Sequence, residues 1–291
     1  MSYLEYNVKT VPAGLQKIAA LNWPIVLLLT AIAGAGFVML YSVADGQLSL
    51  WAEPQMKRFF LGLCAMIVVA IVPSWFWRNM SFLAYFAAML LLLWVMFDGV
   101  VVNGARRWIE LGPMRLQPSE VMKIALVMLL AAYYDWLPLE KTSHPYWVAI
   151  PVFVILLPVA FVTQQPDLGT SLLLIIAGAT VMFMAGVHWA YFGFVALFGG
   201  GLIYAAFASK GTDWQILRDY QYDRIAIFLD PSLDPLGDGY HISQGLTAFG
   251  SGGWTGRGFM QGTQTQLGFL PEKQTDFIFN TLAEEFGFLG A

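Results

Sequence analysis

Residues 18–44 separate Lys17 from Asp45 without one charged side chain, and this run constrains the fold more than any other feature. A charge at the centre of a bilayer costs about 3 kcal/mol or more, whereas a helix of about 20 apolar residues crosses the hydrocarbon core. The run therefore predicts a membrane-spanning helix. Residues 59–77 and 79–97 are two more such runs, parted only by Arg78, and predict a tight helical hairpin turning there. The run 142–166 predicts a further span, and 168–209 is long enough for two helices that turn near His188 and Trp189. The charge-free stretch between Lys123 and Asp135 is too short to span alone, so a helix there takes Glu120 and Lys123 into its first turns. Seven spans over residues 1–209 result. The first is too long for a cleavable signal, and no small-residue cleavage pattern follows it.

Composition agrees. Hydrophobic residues make up 58% of the chain and charged residues 12%, about half the usual share of a soluble domain. That excludes an ordinary soluble enzyme. The net charge of −4 supplies no basic field to attract nucleic acid. Cys64 is the single cysteine and cannot form an internal disulfide. Eleven Trp, 12 Tyr and 22 Phe suit aromatic belts at two membrane interfaces. The fold class expected is an all-α polytopic membrane protein.

Residues 210–276 break the pattern. They are rich in charge and glycine and read as one long extramembrane loop, a kind of segment that is usually functional. Residues 277–291 read as an amphipathic helix with Thr275 as its cap and Phe277, Phe279, Leu282 and Phe286 as its apolar positions, followed by the start of a truncated eighth span. An odd number of spans places the loop opposite the N-terminus. With the N-terminus cytoplasmic, Lys9, Lys17, Arg78 and Lys141 lie inside and the loop is periplasmic. Arg106, Arg107 and Arg115 then lie outside, against the usual excess of inner positive charge, which suggests that they are retained there to bind an anionic group.

Three polar clusters can carry chemistry. The first runs from Asn103 through Arg106 and Arg107 to Gln117-Pro118-Ser119-Glu120 and Lys123. Pro118 suits a first helical position, which makes Glu120 and Lys123 neighbours on one helix face. They form either a local ion pair or a site for an anionic head group. The second, Gln164-Gln165-Pro166-Asp167-Leu168-Gly169-Thr170, is a break between spans in which Asp167 is either a helix cap or a functional acid. The third is the long loop, with Arg224, His241, Glu272 and Asp276 among its ionisable groups. Its glycines would let main-chain N–H groups approach an oxyanion. No metal-ligand spacing, Walker or dinucleotide fingerprint, or nucleophile elbow occurs. Carboxylate chemistry beside cationic groups remains.

Seven strings then carry a specific resemblance, in order and over essentially the whole chain: Gly104-Ala105-Arg106-Arg107-Trp108-Ile109, Gln117-Pro118-Ser119-Glu120, Gln165-Pro166-Asp167-Leu168-Gly169-Thr170, Phe228-Leu229-Asp230-Pro231, Gly239-Tyr240-His241-Ile242, Gly250-Ser251-Gly252-Gly253, and Leu270-Pro271-Glu272 with Thr275-Asp276-Phe277-Ile278-Phe279. The sequence resembles the SEDS family (shape, elongation, division and sporulation proteins), and Gly262-Thr263-Gln264-Thr265-Gln266-Leu267 is similar to its elongation branch rather than its division branch. The resemblance implies a ten-helix bundle, of which about seven spans are complete here, in the bacterial inner membrane. It implies an inverting glycosyltransferase that polymerises lipid II into peptidoglycan during cell elongation, alongside a class B penicillin-binding protein within the elongation machinery. The family's essential acid falls on Asp276, and its fourth-helix Glu and Lys on Glu120 and Lys123. Where the family commonly has Arg-His or Lys-His before Thr-Asp, this chain has Lys273-Gln274.

The expected roles follow from the reaction. A sugar hydroxyl is a weak nucleophile and needs a base, for which Asp276 is the first choice. Cations must meet the departing pyrophosphate: Lys123 first, oriented by Glu120, then Arg106, Arg107 and Arg224. Asp167, His241 and Glu272 are secondary candidates. The chemistry leaves room for a divalent cation, magnesium or manganese, for which the sequence shows no dedicated cage of oxygen ligands. Rival functions are a flippase for the lipid-linked precursor and a scaffold that only recruits the synthase.

Overall fold

The computed structural model describes residues 16–102, 105–112, 114–212, 214–215, 219–235, 237–270 and 272–291. The first helices are α1 (Trp23–Val43), α2 (Ala52–Ile71) and α3 (Ser74–Asp98). Three short strands follow, β1 (Val100–Val102), β2 (Ala105–Leu111) and β3 (Met114–Leu116). Then come α4 (Pro118–Trp136), α5 (Pro145–Gln164), α6 (Leu168–Met184), α7 (Trp189–Ala208), α8 (Asp219–Leu229), α9 (Asp238–Ser251) and α10 (Ile278–Gly290). Five of these, α1, α2, α3, α5 and α7, are long and apolar enough to cross a membrane. Helix α6 is apolar but has 17 residues, and α4 carries Glu120 and Lys123 in its first turns.

Residues 72–203 form one compact unit. Its core is built from Leu92 of α3, Met122, Leu126 and Leu130 of α4, Val162 of α5 and Leu174 of α6, all buried. The spacing of Met122, Leu126 and Leu130 is one helix face, so a single stripe of α4 packs inward. At Gly178 of α6 a side-chain carbon would meet Ile155 of α5 at 2.5 Å, which explains the glycine there. The strands make an antiparallel meander in the order β1-β2-β3, with a bulge between Val100 and Val101.

Residues up to 71 and residues 204–291 form the second unit. Helix α2 buries only Ala52 and presents Phe60, Leu61, Val68 and Val69 outward, as a lipid-facing helix does. Phe37 of α1 meets Phe59 of α2 edge to face, with ring centres 5.7 Å apart.

Four expectations change. The break between the two helices falls at Val72-Pro73, not at Arg78: Pro73 precedes α3 and, lacking an N–H, ends the preceding helix. Arg78 lies inside α3 and pairs with Asp135 of α4 at 2.7 Å. Residues 100–102, 105–111 and 114–116 are strands, which the charge gaps do not reveal because they say nothing of backbone pairing. The stretch 210–276 is not plain loop but contains α8 and α9. The last helix starts at Ile278 with Phe277 at its cap position and no side-chain cap, while Thr275 donates its hydroxyl to Glu272 O at 3.3 Å instead.

Helix α10 buries its polar rather than its aromatic positions. Phe279 and Phe286 are exposed, while Thr281, Ala283, Glu284 and Glu285 are buried.

Candidate functional site

In the 72–203 unit the polar residues gather where β2, α4 and the α5–α6 turn meet. Arg106 and Arg107 are consecutive on a strand and so leave it on opposite faces. Arg106 donates to Phe97 O at 3.1 Å and Met96 O at 3.3 Å, where the last carbonyls of α3 lack helical partners. Arg107 donates to Gln165 O at 2.9 Å and Pro166 O at 2.7 Å, and lies 3.7 Å from the Asp167 carboxylate. Asp167 caps α6 through Thr170 N at 3.1 Å, as short polar residues do, and accepts from Gln117 at 3.3 Å. It is thus both a cap and an ion-pair partner.

Helix α4 begins with Pro118 at its first position. One turn on, Lys123 Nζ meets Glu120 Oε1 at 2.8 Å, with the lysine about a quarter exposed. Glu120 also lines a shallow apolar recess of about 270 Å³ with Ala84, Ile124 and Met128.

The other candidate residues belong to the second unit. Asp276 is exposed in the turn 272–277, one residue before the cap of α10. Its carboxylate has no hydrogen bond or ion pair among the described residues. The turn itself is well tied. Glu272 O accepts from Thr275 N at 3.0 Å, Gln274 donates to the Glu272 carboxylate at 2.9 Å, and Lys273 donates to Thr265 O at 3.1 Å. His241 is exposed on α9, edge-on to Tyr240. Asp230 accepts from the Ser232 hydroxyl at 2.6 Å and amide at 3.1 Å, which holds its carboxyl below the usual range. The Arg224 side chain lies outside the described residues.

Sequence reasoning missed a buried carboxylate. Glu284 is fully buried and accepts from Gln264 N at 2.9 Å and Thr265 N at 3.3 Å. The hydroxyls of Thr263 and Thr265 each add a bond at 3.2 Å. The oxyanion that these loop amides meet is therefore one of the chain's own. Gly252 and Gly256 explain how the loop comes so close, because a side chain at either would collide with the α10 backbone. Arg257 N and Gly258 N then bond Glu284 O at 3.0 Å and Glu285 O at 2.9 Å. Two adjacent acids inside an apolar helix were the available signal. Among the described residues no three His, Cys, Asp or Glu converge to hold a metal ion.

The chain is similar to known proteins over nearly its whole length. The FtsW/RodA/SpoVE family model, described as a cell cycle protein, matches residues 19–291. The peptidoglycan glycosyltransferase MrdB of Escherichia coli (strain K12) is 38% identical over 268 residues, covering 91% of this chain and 69% of that protein. Stage V sporulation protein E of Bacillus subtilis (strain 168) is 34% identical over 279 residues, 91% of this chain and 72% of that protein. Among solved structures, one of a peptidoglycan synthase complex, titled for its coordination of polymerization and crosslinking, superposes with a TM-score of 0.72 at 31% identity, covering 92% of this chain and 72% of that chain. The rod shape determining protein RodA of Thermus thermophilus gives 0.60 at 25% identity, over 92% and 68%.

Proposed function

Because the chain belongs to the FtsW/RodA/SpoVE family and is a multi-pass membrane protein, we propose that it is a peptidoglycan glycosyltransferase of the RodA type, polymerising lipid II during cell elongation. The observation that carries this reading is Asp276. A carboxylate with no internal partner, held on a well-bonded turn beside the cap of α10, is free to accept a proton from an incoming hydroxyl.

The reaction on this reading is a single inverting displacement. The 4-hydroxyl oxygen of one sugar attacks the anomeric carbon of the next, while the bond from that carbon to the pyrophosphate oxygen breaks. The hydroxyl proton passes to Asp276, and undecaprenyl pyrophosphate departs with the bonding electrons. Positioned proton acceptors contribute about 10²–10⁴-fold to such steps. Lys123, held by Glu120, supplies positive charge where anionic groups gather. The α5–α6 turn, locked by Arg107 and Asp167, keeps the α4 end in register.

The same reading places the protein in the inner membrane with its N-terminus cytoplasmic and residues 210–276 periplasmic. It gives the chain a class B penicillin-binding protein as crosslinking partner, a reading supported by its likeness to a peptidoglycan synthase complex. The test is product formation. The purified protein supplied with lipid II, without ATP, lengthens glycan chains. Movement of lipid without lengthening would make it a flippase, and neither activity would leave a scaffold.

A further inference from the structure

An ion pair at one end of the 72–203 unit opens onto a cavity that the proposed reaction does not use. Arg78 of α3 donates to Asp135 of α4 at 2.7 Å, yet more than half of each side chain stays exposed. A cavity of about 490 Å³ lies beside the pair, between the start of α3 and the end of α4. Met128, Ala131 and Ala132 line it, and their spacing puts them on the same face of α4 as Asp135. Trp77 of α3 walls the other side.

Three kinds of donor at this end of α3 have no acceptor among the described residues. Arg78 has five N–H groups and uses one on Asp135. The amides of Ser74 and Trp75 begin the helix, where no partner exists within it, and Pro73 before them gives no side-chain cap. The indole N–H of Trp77 is buried and unpaired. No acid stands in the first turn of α3. The α3 side therefore suits an oxyanion, as helix N-termini do. Asp135 makes the opposite demand. It stands in the last turn of α4, where the helix dipole disfavours an acid, and only one of its carboxylate oxygens accepts from Arg78. The other oxygen is open to a cation that donates hydrogen bonds.

A ligand that answers both sides carries a phosphate and an ammonium on one head, with a hydrocarbon tail for the apolar wall. We propose that this cavity binds an aminophospholipid, phosphatidylethanolamine, with its phosphate on Arg78 and the first amides of α3 and its ammonium on Asp135. A purely anionic phospholipid would satisfy the arginine but meet the Asp135 carboxylate. A choline head brings a cation without an N–H to donate. Trp75 and Trp77 flank Arg78, as aromatic side chains do at head-group depth. On the topology proposed above, this end of α3 and α4 meets the cytoplasmic leaflet, while the other end of α4 carries Glu120 and Lys123. The inference goes beyond the glycosyltransferase reading and does not depend on it.

The experiment titrates the purified, detergent-solubilised protein with the dioleoyl forms of phosphatidylethanolamine, phosphatidylcholine and phosphatidylglycerol, and counts bound lipid by native mass spectrometry. The wild-type protein binds phosphatidylethanolamine about 10-fold more tightly than either other lipid, the scale of one charge-assisted contact. Asp135→Asn lowers phosphatidylethanolamine to the phosphatidylcholine level and strengthens phosphatidylglycerol, while Asp135→Glu keeps the wild-type order. Arg78→Ala weakens all three lipids by about 10-fold, because they share the phosphate, and Arg78→Lys recovers most of that loss. Equal binding of phosphatidylethanolamine and phosphatidylcholine by the wild type would overturn the proposal. Tighter binding of phosphatidylglycerol would reveal a general anionic-lipid surface and sink it too. So would a preference that survives Asp135→Asn, or matching losses of all three lipids in Asp135→Asn and Asp135→Glu, which would mark a packing defect.

Discussion

Ser42 donates its hydroxyl hydrogen to a carboxylate oxygen of Glu285, 243 positions away, and so ties the end of α1 to the buried side of α10. The second oxygen of Glu285 is buried and lacks a hydrogen-bond partner among the described residues. Ser42→Ala removes the side-chain donor to this buried group and costs about 1–3 kcal/mol. Glu284→Ala leaves two amides and several hydroxyls of the loop unpaired and costs about 3 kcal/mol or more. Thermal unfolding of the solubilised protein, with limited proteolysis across residues 257–270, reads both. Equal melting of Glu284→Ala and wild type would show that the carboxylate does not organise the loop.

Asp276→Asn abolishes polymerisation, by about 10²-fold or more, with no change in melting temperature, because the exposed carboxylate has no internal partner to lose. Asp276→Glu is severely impaired as well, since proton transfer tolerates little displacement. Near-normal polymer from Asp276→Asn would remove the residue from the mechanism.

Lys123→Ala lowers lipid II turnover more than Glu120→Gln does. On the proposed mechanism the lysine meets the anion and the glutamate, 2.8 Å away, orients it. Matching defects, both restored by exchanging the two residues, would mean a structural pair only.

Asp167 separates two roles by chemistry. Asparagine caps helices about as well as aspartate, so Asp167→Asn keeps the cap of α6 and gives up the charge toward Arg107. Asp167→Ala loses both and costs about 1–2 kcal/mol more stability than the asparagine variant. Chemical denaturation of the two variants checks the difference. Indistinguishable stabilities would show that the Thr170 cap contributes nothing.

A cysteine at Ser232, with Cys64 replaced by Ala, reacts with a membrane-impermeant thiol reagent on intact spheroplasts. Ser232 is exposed, so access depends on orientation alone. Labelling that requires lysis would invert the topology.

What the sequence makes legible follows from how costs are distributed along it. Charge in hydrocarbon is expensive everywhere, so the gaps between charges mark α1 and α3 to within a few residues. Glu120 and Lys123 pair as the spacing predicts, because one helix turn settles their separation. The meander of Val100–Leu116 escapes the same reading, since three- and seven-residue strands carry too little pattern to register. Glu284 escapes for the opposite reason. An acid on a helix reads as solvent-facing, and only the folded loop reveals the four groups of its own that receive it.

The two arginines of β2 stand on adjacent residues, and one peptide unit decides which of them reaches α3 and which reaches the α5–α6 turn. Insertion or deletion of one residue in the strand ahead of them would exchange their faces. Both helix ends would then lose their guanidinium at once. Single replacements along β2 remove one anchor at a time. This hairpin is therefore far more tolerant of altered residues than of altered length, and natural variation among related chains should show substitutions there but no gaps.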